Sequence, residues 1–221
     1  MTIRASHSGC ADASDLAGAA ADRDWAVRQR LRLLAQREQH LIDAEVRETR
    51  RVLVRAVHRR SGSTDGVAFC DDDFLAVADR PALYRAILDS AVTAGHADSA
   101  DLQLYDPTWS VLRLVAHHGF PSRFLTFFAT VDATTPTACA TAVATRRPVL
   151  IDDITHHKIF TGRPTLEPML DAGSRAVSSY PLIAGGLLLG VLSFHHHKPA
   201  PPPSYAALIA ACAAQALTRI P

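Results

Sequence analysis

No apolar run in this chain approaches the length of a membrane span. The longest, LIAGGLLLGVLSF, is broken by glycines and followed by histidines. Residues 1–21 lack the apolar block that a secretory signal needs, so neither export nor membrane anchoring is expected. The four cysteines, at positions 10, 70, 139 and 212, form no CxxC pair and no zinc-like cluster. Free thiols in a reducing cytoplasm are the plain reading, with no metal site and no cofactor demanded by the residues. A net charge of +1 removes any whole-chain attraction to nucleic acid or to an acidic membrane. Glycine and proline are missing from residues 22–60, which excludes a chain break there.

What is present fits one domain with an extension. With 48% hydrophobic and 20% charged residues, the chain can build an ordinary core. Residues 1–21 are small and polar and are expected to be loosely ordered. Residues 22–60 carry eleven arginines against six acidic residues. Val27, Leu31, Leu34, Leu41, Ile42, Val46, Leu53 and Val57 recur near three-and-four spacing. That pattern predicts one long amphipathic helix. Gln and Glu interrupt its apolar stripe, so it is no sustained heptad seam, yet the stripe still needs a partner. A homodimer, or packing back onto the domain, supplies one. Interleaved acidic residues and the lack of a basic-region motif argue against nucleic-acid binding. Residues 61–75 (SGSTDGVAFCDDDFL) are turn-rich and acidic and are expected to be a linker.

From residue 76 onward the text alternates between helical and strand periods. Asp79-Arg80-Pro81 opens a helix with Leu83, Ile87 and Leu88 on its apolar face. Residues 102–105 and 111–116 flank a DPTWS turn, and residues 148–151, 176–182 and 187–194 read as further strands. An Ala-rich helix after Pro203 closes the chain, with Leu208 and Ile209 expected against the back of the sheet. The phrases LQLYDP, LRLVAHHGF, FLTFFATVDA, TACATAVA, PVLIDDI, LDAGSRAV and GVLSFH occur in an order that resembles the GAF domain family, a small-ligand and signalling module. The resemblance implies an α+β, PAS-related fold over residues 76–221. Its centre is an antiparallel sheet of five to six strands, with helices on one face and short helices and loops over a ligand cavity on the other. It also implies a sensory or regulatory protein, not an enzyme, binding a small molecule or an effector protein and signalling through the N-terminal helix.

The resemblance places the cavity beneath the segments around Phe128, Cys139 and Phe160. Strand parity then assigns its floor to Gln103 and Tyr105, Ser178 and Tyr180, and Ser193 and His195. Phe124, Phe127 and Phe128 sit within about one helical turn, as core or as pocket wall. Cys139 reads either as a small buried hydrophobe or as a thiol activated at a helix start. Tyr180 stands where the family often has a small hydroxyl residue, and its ring is expected to fill space that a ligand would use. Ala140 likewise replaces a frequent glycine. The signature of cyclic-nucleotide-binding relatives is missing, as is a Cys-His pair for bilin attachment. Two alternatives remain: a reductase of free methionine sulfoxide, which needs two converging cysteines, and a redox or metal sensor using Cys139 with His195. Deleting residues 22–60 is expected to convert a dimer into a monomer by light scattering; a dimer that survives the deletion places the interface on the domain.

Overall fold

The computed structural model describes residues 66–220 and, from the arm, Gln29, Arg30, Leu33, Gln36 and Arg37, all five helical. The expected helix over 22–60 otherwise lies outside the described residues, as do segment 1–21 and the start of the expected linker. The chain divides into two units between Thr49 and Arg50, and the second carries the sheet. Among the described residues no helix is long and apolar enough to cross a membrane.

The second unit begins earlier than its composition implies. A 3-10 turn at Ala68–Cys70 precedes helix α1 (Asp72–Val77). Phe69 and Phe74 are fully buried in the main core. Residues 66–75 are therefore part of the domain and not a linker. The acidic run that read as a linker is the start of a helix: Asp72 and Asp73 occupy its first turn, where carboxylates favour the positive end of the helix dipole. Helix α2 (Arg80–Thr93) follows, capped by Asp79 Oδ1, which accepts from the Ala82 N–H at 2.9 Å.

Six strands form one antiparallel sheet in the order β3-β2-β1-β6-β5-β4. They are β1 (Ser99–Asp106), β2 (Val111–His118), β3 (Thr130–Asp132), β4 (Val149–Ile151), β5 (Ala176–Ala184) and β6 (Leu187–His196). The short edge strand β3 was not evident in the sequence. Gly185 and Gly186, both at positive φ, make the two-residue turn that joins β5 to β6. At Gly190, which pairs with Leu104, β6 comes so close to β1 that a Cβ would lie 2.1 Å from the Gln103 carbonyl oxygen. Any larger residue there would push the two central strands apart.

One face of the sheet is covered by α2 and by the closing helix α6 (Ala206–Arg219). Leu83, Ile87, Leu102, Leu182, Leu192, Phe194 and Ile209 are buried between them. Leu208 is not; it is 45% exposed. The buried stripe of α6 runs through Ala206, Ile209, Ala210, Ala213 and Ala216 at three-and-four spacing, which turns position 208 outward. The other face carries short elements: α3 (Ser122–Phe127), α4 (Ala138–Thr145) and α5 (Leu166–Asp171). They enclose a second core around Phe124, Phe128, Ile154, Phe160 and Met169.

Because Phe74 is buried against the main core, Phe74→Ala is expected to cost about 3–5 kcal/mol, read by urea denaturation. Leu208→Ala should cost less than about 1 kcal/mol. Equal losses would contradict the assignment of residues 66–77 to the core.

Candidate functional site

On β1 the residues Ser99, Asp101 and Gln103 point away from the helix-packed face, while Ala100 and Leu102 belong to the main core. Cross-strand pairing carries that face onto the neighbours. Asp101 lies opposite Ser193, and Ser193 lies opposite Ser179; Val177 lies opposite His195. Three strands thus supply a polar row under the short helices. It is knitted by hydrogen bonds: Ser179 Oγ to Ser193 Oγ at 2.9 Å, and His195 Nε2 to Asp101 Oδ2 at 2.9 Å. The other ring nitrogen, His195 Nδ1, meets Ser174 Oγ at 2.9 Å. Asp101, His195 and Ser174 are all buried, so this chain of contacts satisfies a carboxylate deep inside the protein.

The roof is aromatic. Phe120 and Phe124 stack at 3.9 Å, Phe128 follows at 4.6 Å from Phe124, and both Phe120 and Phe124 set ring edges against His195. Phe127, one position on, is 44% exposed. Arg123 on α3 pairs with Asp171 on α5, which ties the two roof helices together. Thr137 caps α4 by accepting from the Ala140 N–H at 3.1 Å, and its hydroxyl also contacts the Cys139 sulfur at 3.2 Å. Burial, and then the nearby Asp101, push the Cys139 thiol up to about 12. It is a neutral, packed thiol, so the activating effect expected of a helix start does not prevail.

Floor and roof enclose a cavity of about 20 Å³ lined by Asp101, Gln103, Ser179, Ser193, His195, Phe128 and their neighbours. That is room for roughly one water. Among the described residues no lysine or arginine lines it. Gln103 is 2% exposed, and its Oε1 has no hydrogen-bond partner; Ser99 Oγ, on the same strand face, has none either. Buried polar atoms are seldom left this way, and each costs about 1–3 kcal/mol unless something fills the gap.

Of the nine residues singled out from the sequence, Gln103, Phe128, Cys139, Phe160, Ser193 and His195 line this one cavity. Three do not. Tyr105 borders a separate groove of about 300 Å³ with Leu112, Val131, Val143 and Arg146. Ser178 and Tyr180 face the opposite side: Ser178 pairs with Phe194, and the Tyr180 ring packs edge-on against Phe194 at 5.7 Å in the main core. Tyr180 therefore does not plug the cavity. The reason is a bulge. Counting back from the Gly-Gly turn with regular pairing sets Ser178 opposite Ser193, but the register shifts between Leu182 and Ile183 and leaves Leu189 unpaired. One extra residue on β6 brings Ser179 to the cavity and turns its neighbours away.

Asp101, Ser174, Ser179 and Met169 are site residues that the sequence reading missed, whereas Phe124, read there as core or pocket wall, lines the cavity. Asp101 was findable, since Ser99-x-Asp101-x-Gln103 is a polar alternation inside an otherwise apolar strand. Ser174 carried no signal, because it reaches His195 from the loop before β5. Asp153 proves to be a turn former: the Thr155 hydroxyl and N–H hold its carboxyl down at about 2.

A domain with this antiparallel sheet, helices on one face and a roofed cavity on the other is an α+β module. Residues 77–218, well over half of the chain, match the GAF domain family, and the chain belongs to that family. Among solved structures it is similar to a domain of a two-component sensor histidine kinase protein from Sinorhizobium meliloti 1021. That match has 21% identity and a TM-score of 0.53, and it covers 65% of this chain and 93% of that one. It is also similar to the GAF domain of a phosphoenolpyruvate-protein phosphotransferase from Coxiella burnetii (14%, TM-score 0.52, covering 76% and 92%). A third is the reduced form of the methionine sulfoxide reductase fRMsr of Staphylococcus aureus (14%, TM-score 0.51, covering 69% and 90%). At these identities the likenesses show the fold alone. No curated protein sequence matches the chain.

Asp101→Ala should cost about 1–3 kcal/mol in chemical denaturation, because the His195 Nε2 atom loses its carboxylate partner in a buried place. A neutral outcome would mean that the network is dispensable. Cys139 in the native chain should resist N-ethylmaleimide at neutral pH and react only after unfolding; rapid native labelling would contradict its burial.

Proposed function

We propose that this GAF domain is the sensing part of a regulatory protein, and that its cavity takes a small hydrogen-bonding molecule of neutral or positive charge. The observation that carries the reading is the Gln103 Oε1 atom, without a partner among the described residues, in the same cavity as the Asp101–His195 pair. A ligand that supplies a donor to Gln103 Oε1 completes the polar face, and Phe124, Phe128, Phe160 and Met169 accommodate an apolar body. An anion would meet the Asp101 carboxylate with no lysine or arginine beside it. That disfavours phosphates and carboxylates, cyclic nucleotides included.

The small size of the cavity supports a switch over a permanent cofactor site. Ligands of ordinary size need about 300–1,000 Å³, so binding must select a form in which the roof stands open. Such a molecule shifts the population between closed and open domains. In this reading residues 22–60 carry the difference to a second copy or to an effector chain in the cytoplasm. The reductase alternative needs a second sulfur reaching the cavity. Cys139 is the one cysteine lining it among the described residues, while Cys70 and Cys212 pack against the opposite core.

Mass spectrometry of small molecules that copurify with the full chain tests this reading. An amine- or amide-bearing compound is expected, held roughly 10–100-fold more weakly by Gln103→Leu and by Asp101→Asn. An organic anion retained equally by both variants would overturn the proposed class. Stoichiometric turnover of methionine sulfoxide that stops in Cys139→Ser would favour the reductase.

A further inference from the structure

Two cysteines far apart in sequence, Cys70 and Cys212, pack at the margin of the same core on the helix-covered side of the sheet. Cys70 ends the 3-10 turn through which the chain enters the domain, and Cys212 lies in α6. Both are half-buried at the margin of the main core. The turn that ends at Cys70 packs against α6, and the Cys212 thiol lies near enough to help raise the Cys70 thiol. The neighbouring segments are fastened together as well. Phe69 is buried in the core against which α6 packs, and Arg219 near the end of α6 pairs with Asp72 at 2.7 Å. Cys139 belongs to the other core, across the sheet, and cannot compete for either partner.

We infer that Cys70 and Cys212 are a reversible disulfide site, closed by a hydroperoxide and reopened by a dithiol. The step balances simply. The peroxide oxidises one sulfur to a sulfenic acid, its O–O bond breaks, and its second oxygen leaves as water. The other sulfur then attacks the sulfenic sulfur; an S–S bond forms, the S–O bond breaks, and a second water carries away the remaining thiol proton. Two thiols and one hydrogen peroxide thus give one disulfide and two waters. Burial, then the neighbouring Cys212, push the Cys70 thiol well above its ordinary value, while Arg219 opposes them. Since the thiolate is the reacting form, the pair closes faster in alkaline buffer. The bond ties the incoming segment, residues 66–77, to the last helix of the domain. It is independent of whether the cavity binds anything.

The test uses the full chain, reduced, desalted and exposed to hydrogen peroxide in mildly alkaline buffer, then alkylated with N-ethylmaleimide. Non-reducing peptide mapping should find Cys70 linked to Cys212 within one chain, reversed by dithiothreitol. The linked form should melt about 5–10 °C above the reduced one, because a long loop is closed. Cys139→Ser should leave the link intact; Cys70→Ser and Cys212→Ser should each abolish it. A bond between chains, a bond to Cys10, or overoxidised cysteines with no Cys70–Cys212 peptide would overturn the inference. Mapping of the unaltered chain decides the matter even if a variant fails to fold.

Discussion

A carboxylate placed inside a protein has to be given hydrogen bonds where it stands, and Asp101 is so placed, at the centre of the sheet. His195 answers it from the adjacent strand, and Ser174 fixes the far side of the imidazole. This line of contacts crosses from β1 to β6 and on to the loop before β5, so it joins three separate parts of the chain at one point. It also sets the electrostatics of the cavity. Burial first, and then the nearby Asp101, hold Cys139 as a neutral thiol. Such a network gives little net stability, yet breaking one partner of it is costly.

The two faces of the sheet divide the labour. The side under α2 and α6 is apolar and close-packed, with alanines bringing α6 near the strands. The side under α3, α4 and α5 mixes a polar floor with stacked phenylalanines and leaves the Gln103 oxygen without a partner. Short helices joined by an Arg123–Asp171 pair are a weaker cover than two fourteen-residue helices. Movement on binding is therefore expected in the roof, while the opposite layer stays put.

Much of this was legible from residue types. The alternation in β1 assigned Gln103 to the cavity face, and the spacing of Ser193 and His195 did the same for β6. What failed has definite causes. Strand β5 is buried on both faces, so AVSSYPLIA has no polar alternation to read, and the bulge at Leu189 reversed the remaining guess. Three successive aspartates looked like a solvated linker, although they start α1 and are flanked by two phenylalanines of the core. Cys70 and Cys212 are neighbours only through long-range packing, which one-dimensional spacing cannot express.

The central claim is that Gln103 is the open end of a polar face completed by a bound molecule. The most direct measurement is the proton NMR of the Gln103 side-chain amide and the Phe128 ring, before and after adding the compound that copurifies with the chain. The account predicts large shifts at both groups and Overhauser contacts between the Gln103 amide protons and the compound. Unchanged signals there, with the shifts gathered instead around Tyr105, Val143 and Arg146, would place binding in the neighbouring groove and contradict it.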